Sequence, residues 1–275
     1  MQDLAGRTAV VTGAGSGIGR SLARRWADEG MRVVLADVEA DALTRTAEAI
    51  GGGALAVPTD VTVADDLERL AARAYETFGS VDVLCNNAGV FQGGLLWECT
   101  DADFEWTLRV NLWGILHGIR AFVPRMLAAG TEAHVVNTIS MAGLASTPFS
   151  GPYNVSKFAA MAATECLAHD LATIGAPITV SAVCPGLVDT EISRSRRNRP
   201  ESLATEQHEG GAFVERALAD GTAGSMSPDD VADLVLEAVR EERFLVPTRP
   251  SYAQQLVDRC DDLVGRRVPR SPTFD

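Results

Sequence analysis

The stretch RTAVVTGAGSGIGRSLARRWADEG, residues 7–30, decides the fold. A β-branched run, TAVVT, leads straight into a glycine-rich turn, and the turn opens a segment whose apolar residues recur at helical spacing. The glycines do not form GxGxxG, because the sixth position counted from Gly13 is Ile18; what fits is TGxxxGxG, with Gly13, Gly17 and Gly19. Glycine is needed where backbone must turn tightly and come close to a pyrophosphate, which then sits at the positive end of the following helix. Residues 7–30 therefore read as a strand–turn–helix unit whose turn, with Ser16 and Ile18 between its glycines, cradles a phosphate-bearing ligand.

The same alternation continues outward. Apolar runs at 31–37, 54–60, 81–89, 133–140, 178–186 and 243–248 are separated by amphipathic segments from about Asp41, at about 64–78, 103–129 and 152–172, and at about 228–240. Seven such strands joined by helices imply an α/β fold, a doubly wound, mostly parallel sheet with right-handed crossovers covering both faces. Ligands are then expected beyond the carboxyl ends of the strands. Residues 1–275 read as a single domain, with two segments outside the alternation: a polar, Arg-rich stretch at about 190–226, read as an irregular lid, and an extension at about 249–275.

Composition narrows the partners. A chain of 275 residues with 46% hydrophobic content can bury a large core. A formal charge of −13 opposes attraction to a polyanion, so nucleic acid is not an expected partner. No apolar run of about 18 residues is present, and MQDLAGRTAVVTG lacks the layout of a signal peptide, so a cytoplasmic protein without membrane contact is expected. Cys85, Cys99, Cys166, Cys184 and Cys260 are odd in number and contain no CxxC pair, and His117, His134, His169 and His208 show no metal-ligand spacing. Reduced thiols and no metal site follow.

The strand ends carry the polar signals. Asp37 closes the second strand, where a carboxylate accepts from adenosine ribose hydroxyls and repels a 2′-phosphate, which favours NAD over NADP. Asp60 and Val61 end the third strand and bracket an adenine ring. NNAG, 86–89, ends the fourth strand; Asn86 is placed to tie neighbouring strands, while Ala88 and Gly89 leave room for a cofactor.

The stretch YNVSK, 153–157, holds the only lysine in the chain, every other cation being arginine. A lysine kept at one place reads as a requirement for a compact ammonium rather than a planar fork. Tyr153 and Lys157 lie four apart on one helix face, with Pro152 expected at the first helical position. Bringing a phenol to neutral pH requires about 4 kcal/mol, for a shift of about three units, and an ammonium at about 4 Å in an effective dielectric of about 20 supplies about that much. Tyr153 is thus an acid/base candidate. Ser140, at the end of the fifth strand, is placed to donate to a substrate oxygen. No GxSxG elbow supports a nucleophilic serine. Asn111, within RVNLWGI, either holds a water against Lys157 or is a satisfied structural amide.

TGAGSGIG, NNAG, Asn111, Ser140, YNVSK and the PG at 185–186, in this order, resemble the short-chain dehydrogenase/reductase family over about residues 5–248. The resemblance implies Tyr153 as acid/base, Ser140 as polariser of the substrate oxygen, Lys157 as ligand of the nicotinamide ribose that lowers the Tyr153 pKa, and Asn111 as the end of a proton relay. Its implied cofactor contacts are Gly13, Ser16, Gly17, Ile18, Gly19, Asp37, Asp60, Val61, Asn87, Ala88, Gly89, Tyr153, Lys157, Pro185, Gly186, Val188 and Thr190. It also implies a homotetramer, with a homodimer as the alternative, assembled through the helices at 103–129 and 153–172.

Phe91, Leu95, Trp97, Leu144, Phe149 and Leu187 supply apolar residues near the reactive edge, as expected for a bulky secondary alcohol or ketone. Arg194, Arg196, Arg197 and Arg199 are either a clamp for a carboxylate or phosphate or a solvated charge run. The expected activity is NAD-dependent interconversion of a secondary alcohol and a ketone. The alternatives are an NADP-dependent carbonyl or 3-oxoacyl reductase and a dinucleotide sensor without catalysis.

Overall fold

A computed structural model describes residues 1–275 apart from 53 and 275. Its sheet has seven parallel strands: β1 (Thr8–Thr12), β2 (Arg32–Asp37), β3 (Ala54–Pro58), β4 (Val83–Asn86), β5 (Ala133–Thr138), β6 (Ile178–Cys184) and β7 (Leu245–Pro247), in the order β3-β2-β1-β4-β5-β6-β7. Val10 lies opposite Val34 on one side and Leu84 on the other. Alternate residues of β1 feed two separate cores. Ala9 and Val11 pack with Leu22, Trp26, Val235 and Val239, whereas Val10 packs with Leu70, Leu84 and Phe122. A sheet buried on both faces explains why its strands read as continuous apolar runs.

The first core lies under α1 (Gly17–Asp28), α2 (Ala40–Ile50) and α8 (Pro228–Glu241). The second lies under α3 (Ala64–Phe78), α5 (Gly114–Ala129) and α6 (Gly151–Thr173). Trp26 is fully buried in the first, and truncating such a side chain to Ala costs about 3–5 kcal/mol. Strand order reverses between β1 and β4, which opens a crevice at their carboxyl ends.

Two expectations are corrected. The helix expected at 103–129 is divided into α4 (Asp101–Leu108), a π-helical turn over Arg109–Trp113 that contains Asn111, and α5. Such turns accommodate one extra residue and often mark functional positions. The stretch at 190–226 is not irregular: it carries 3₁₀ turns at Glu191–Asn198 and Glu201–Leu203 and then α7 (Glu209–Thr222). Its many polar residues mask the helix because α7 rests on the site rather than on a core. The extension forms α9 (Pro250–Val264), whose Tyr252 is buried against β6 and β7. Among the described residues no helix is long and apolar enough to cross a membrane.

Candidate active site

Gly13 takes φ +68°, and a Cβ there would lie 2.9 Å from the Ala88 Cα, so the turn after β1 packs directly on the loop after β4. That loop is fastened by β1. The Thr12 hydroxyl oxygen accepts from the Asn87 and Ala88 amides at 2.9 and 3.1 Å, and the Asn87 side chain donates to the Thr12 carbonyl at 3.0 Å. Asn86 ties strands as its position promised, donating to Asn137 Oδ1 at 2.9 Å, while Asn137 donates to Thr164 of α6 at 3.0 Å.

At the start of α1 the capping position, Ser16, makes no side-chain cap and the first turn holds no acidic residue. The free N–H groups and the helix dipole are left facing the crevice, which suits an anion. Asp37 stands beside this turn, accepting from Gly15 N at 2.8 Å and Glu39 N at 2.9 Å. Burial pushes its carboxyl up from the ordinary range, against the pull of those amides. The anion cradle, the carboxylate and the small residues of NNAG fit a dinucleotide.

Tyr153 sits in the first turn of α6, with Pro152 at the second helical position rather than the first. Lys157 is buried one turn on, its Nζ 5.7 Å from the Tyr153 ring centre and donating to the Thr138 carbonyl at 2.9 Å. Phe91 stacks against Tyr153 with ring centres 5.1 Å apart. The Ser140 hydroxyl oxygen caps the short turn after β5, accepting from Ala142 N at 3.1 Å.

The expected lowering of the tyrosine is not met in this state. Burial pushes Tyr153 up to about 12, although a hydrogen bond with Ser140 pulls the other way. Burial also lowers Lys157 to about 8. Desolvation outweighs charge attraction here because both groups lose water and the ammonium spends its hydrogen bond on Thr138.

Asn111 is buried, and its amide is committed: Nδ2 donates to the Val90 carbonyl and Ser156 Oγ, each at 2.9 Å, and Oδ1 accepts from Val90 N at 2.8 Å. These contacts clamp the NNAG loop to α6.

A single cleft of about 790 Å³ is lined by every expected cofactor contact and by Ser140, Tyr153 and Lys157, but not by Asn111. Of the expected apolar set, Phe91, Phe149 and Leu187 line it. Leu144 is buried in the core and Trp97 is 80% exposed, while Leu95 lies by Gly210 at the start of α7. Missed were Phe213, Val214 and Leu218 of α7, and Phe274. Helical spacing within 209–222 would have exposed the α7 residues; nothing local marks Phe274.

Residues 7–201 match the family model described as short chain dehydrogenase. The chain belongs to the short-chain dehydrogenase family. Over 97% of its length it is 40% identical to a 1-deoxy-11-beta-hydroxypentalenate dehydrogenase of Streptomyces arenae, covering 90% of that protein. It is 31% identical to a CLA biosynthesis dehydrogenase/reductase of Lactiplantibacillus plantarum, covering 98% of this chain and 97% of that one. Among solved structures, a short-chain dehydrogenase/reductase from Burkholderia phymatum in complex with NAD superposes with a TM-score of 0.96 at 40% identity, with 100% of each chain covered.

In this short-chain dehydrogenase the lid arginines are spent on the protein. Arg199 is buried against Asp103 at 2.6 Å and stacks over Trp106, and Arg196 donates to Gln92 and the Thr205 carbonyl. Arg197 pairs with Glu39 at 2.7 Å and exposed Arg194 with Glu191 at 3.1 Å. Arg196, Arg197 and Arg199 thus hold the lid down, whereas Arg194, exposed and paired within the lid itself, fits the solvated run.

Proposed function

We propose that this oxidoreductase interconverts a bulky, apolar secondary alcohol and its ketone with NAD. The observation that carries the reading is the convergence of Ser140, Tyr153 and Lys157 on a cleft whose other end presents an anion cradle and Asp37. Two relatives whose names describe dehydrogenases, and a structural neighbour solved with NAD, support it.

The oxidised cofactor, when bound, supplies the hydride acceptor and a positively charged ring. Ser140 donates to the alcohol oxygen and orients it. Tyr153, as the phenolate facing the Lys157 ammonium one helical turn away, takes the hydroxyl proton and becomes the neutral phenol. In the reverse direction Tyr153 returns that proton to the developing alkoxide. Phe91, Phe149, Leu187 and Phe213 exclude water and favour an uncharged substrate. Asp37 supports a preference for NAD, since a 2′-phosphate would meet its carboxylate.

The test is NADH formation from a panel of cyclic, steroidal, aromatic and hydroxyacyl secondary alcohols, with NAD and NADP in parallel. Turnover with NAD that disappears in Tyr153→Phe, and an NAD preference that drops about 10- to 100-fold in Asp37→Ala, are expected. Normal NADH binding without turnover of any alcohol, or equal turnover with NADP, would overturn the reading.

A further inference from the structure

The lid is fastened to the rest of the fold at two places of different character. At one, Arg199 and Asp103 form an ion pair with side chains 4% and 1% exposed. At the other, Glu39 Oε1 accepts from Arg197 Nη2 at 2.7 Å, Arg197 Nε at 3.0 Å and Asn198 Nδ2 at 2.7 Å, and the paired side chains are 38% and 35% exposed. A half-exposed pair is screened by solvent and salt as a buried pair is not, so the second fastening opens readily where the first does not.

What lies beneath the second fastening gives it a role. Glu39 begins α2 and its backbone N–H orients Asp37. The 3₁₀ turn Glu191–Asn198 arrives from the far side of the crevice, passing Gly17, where an added Cβ would lie 3.0 Å from Thr190 Cγ2. Gly17, Asp37, Glu39, Thr190, Arg197 and Asn198 all line the same cleft. The chain therefore bridges the crevice from the phosphate cradle to the ribose-binding carboxylate. The hydrogen bond from Asn198, followed by Arg197, holds the Glu39 carboxyl below the usual range, so it stays charged at neutral pH.

We infer that Arg197, Asn198 and Glu39 form a releasable clasp over the adenosine half of the cleft, and that its opening governs escape of the dinucleotide. Substrate lid and cofactor gate are then one element, hinged at Arg199. The inference rests on the reading that NAD occupies this cleft. Arg197 and Asn198 are positioning residues, not catalytic ones.

The experiment is a stopped-flow chase: NADH-loaded protein is mixed with excess NAD and the loss of NADH fluorescence is timed. Glu39→Gln, Arg197→Ala and Asn198→Ala are each expected to release NADH about 5- to 20-fold faster, with association rates within about twofold of the parent. Glu39→Gln combined with Arg197→Ala should release no faster than the faster single variant, because both remove the same contact. Salt should speed release from the parent and leave Glu39→Gln little changed. Arg197→Lys, which keeps charge but loses the fork, should fall between. Unaltered thermal midpoints would separate the clasp from a general loss of structure. Release rates equal to the parent in all variants, with NADH binding intact, would overturn the clasp alone. Absence of saturable NADH binding by the parent would sink the occupancy of the cleft and the clasp with it.

Discussion

The Lys157 ammonium donates a 2.9 Å hydrogen bond to the Thr138 carbonyl at the end of β5 while the Tyr153 ring centre lies 5.7 Å away on the same helix face. A buried cation with one hydrogen bond is expensive, and burial has already lowered its pKa to about 8. That displacement from 10.5 corresponds to about 3 kcal/mol of instability at neutral pH. Lys157→Met is therefore expected to lose activity by at least about 100-fold while melting at or above the parent temperature. The unfolded chain keeps this proton up to 10.5 and the folded chain gives it up near 8, so the parent gains stability between those values and the stability difference shrinks. Lys157→Arg is expected to lose both activity and stability, because the larger fork must fit where Nζ already packs beside Gly89. Thermal melts at pH 7 and 10 with matched turnover measurements check all three.

Tyr153 gives a direction-dependent pH profile. Oxidation needs the phenol deprotonated, and burial holds it protonated to about pH 12 in the free protein. The NAD-linked rate is expected to climb with pH through the range 7 to 10, whereas the ketone-reducing rate, which needs the protonated phenol, does not climb. Tyrosinate absorbance of the free protein should show no ionisation of Tyr153 below about pH 11, by difference from Tyr153→Phe. A midpoint for oxidation well below 12 would measure how far the positive cofactor ring lowers the phenol. A flat profile for oxidation would remove Tyr153 from the proton-accepting role.

His134 predicts the acid limb of stability. It is fully buried in β5, its Nε2 2.8 Å from Ser181 Oγ and its Nδ1 2.6 Å from Thr179 Oγ1. Ser181 spends its proton on the Arg243 carbonyl, so its oxygen accepts from Nε2–H, and Nδ1 is left to accept from Thr179. The imidazole is neutral, and burial depresses it from 6.5 to about 3. Between those values the unfolded chain binds a proton that the folded chain refuses, so stability falls as pH drops from 6.5 towards 3. The full effect is on the order of 5 kcal/mol. Urea titrations at pH 7 and 4 should show His134→Gln losing less on acidification than the parent; equal losses would place the acid sensitivity elsewhere.

These cases show which parts of the molecule were legible in the sequence. The sheet was readable because strands buried on both faces leave unbroken apolar runs, and Gly13, Asp37, Tyr153 and Lys157 were readable because each is tied to a neighbour by fixed local spacing. Glu39 and Arg197 meet across 158 residues, and no periodicity connects them. In the segment at 209–222 the apolar stripe of Phe213, Val214, Ala217 and Leu218 is short and set among glycine and charged residues, so the polar composition hides the helix. The net effect on Tyr153 was not legible either, because desolvation depends on everything packed around the phenol, whereas spacing reports only the nearest charge.

Arg199 and Asp103 allow the lid anchor to be separated from helix capping. Burial pushes the Asp103 carboxyl up, but hydrogen bonds from Arg199 and Thr100 more than offset it and hold it below the ordinary range. Asp103 also completes a capping box with Thr100 at the start of α4, whereas Arg199 has no part in that cap, and its Nη2 is buried without a partner among the described residues. Arg199→Met leaves Asp103 buried without its cation and is expected to cost about 3 kcal/mol. Asp103→Ala strands the guanidinium and removes the carboxylate half of the capping box, so it should cost about 1 kcal/mol more. The two should nevertheless raise the Michaelis constant for a bulky alcohol to the same extent, about 10-fold, because each frees Pro200 and Leu203 from the cleft wall and neither touches Tyr153. Chemical denaturation ranks the stabilities and steady-state kinetics the Michaelis constants. If kcat falls as steeply as the Michaelis constant rises, the anchor reaches the proton-transfer residues as well as the lid.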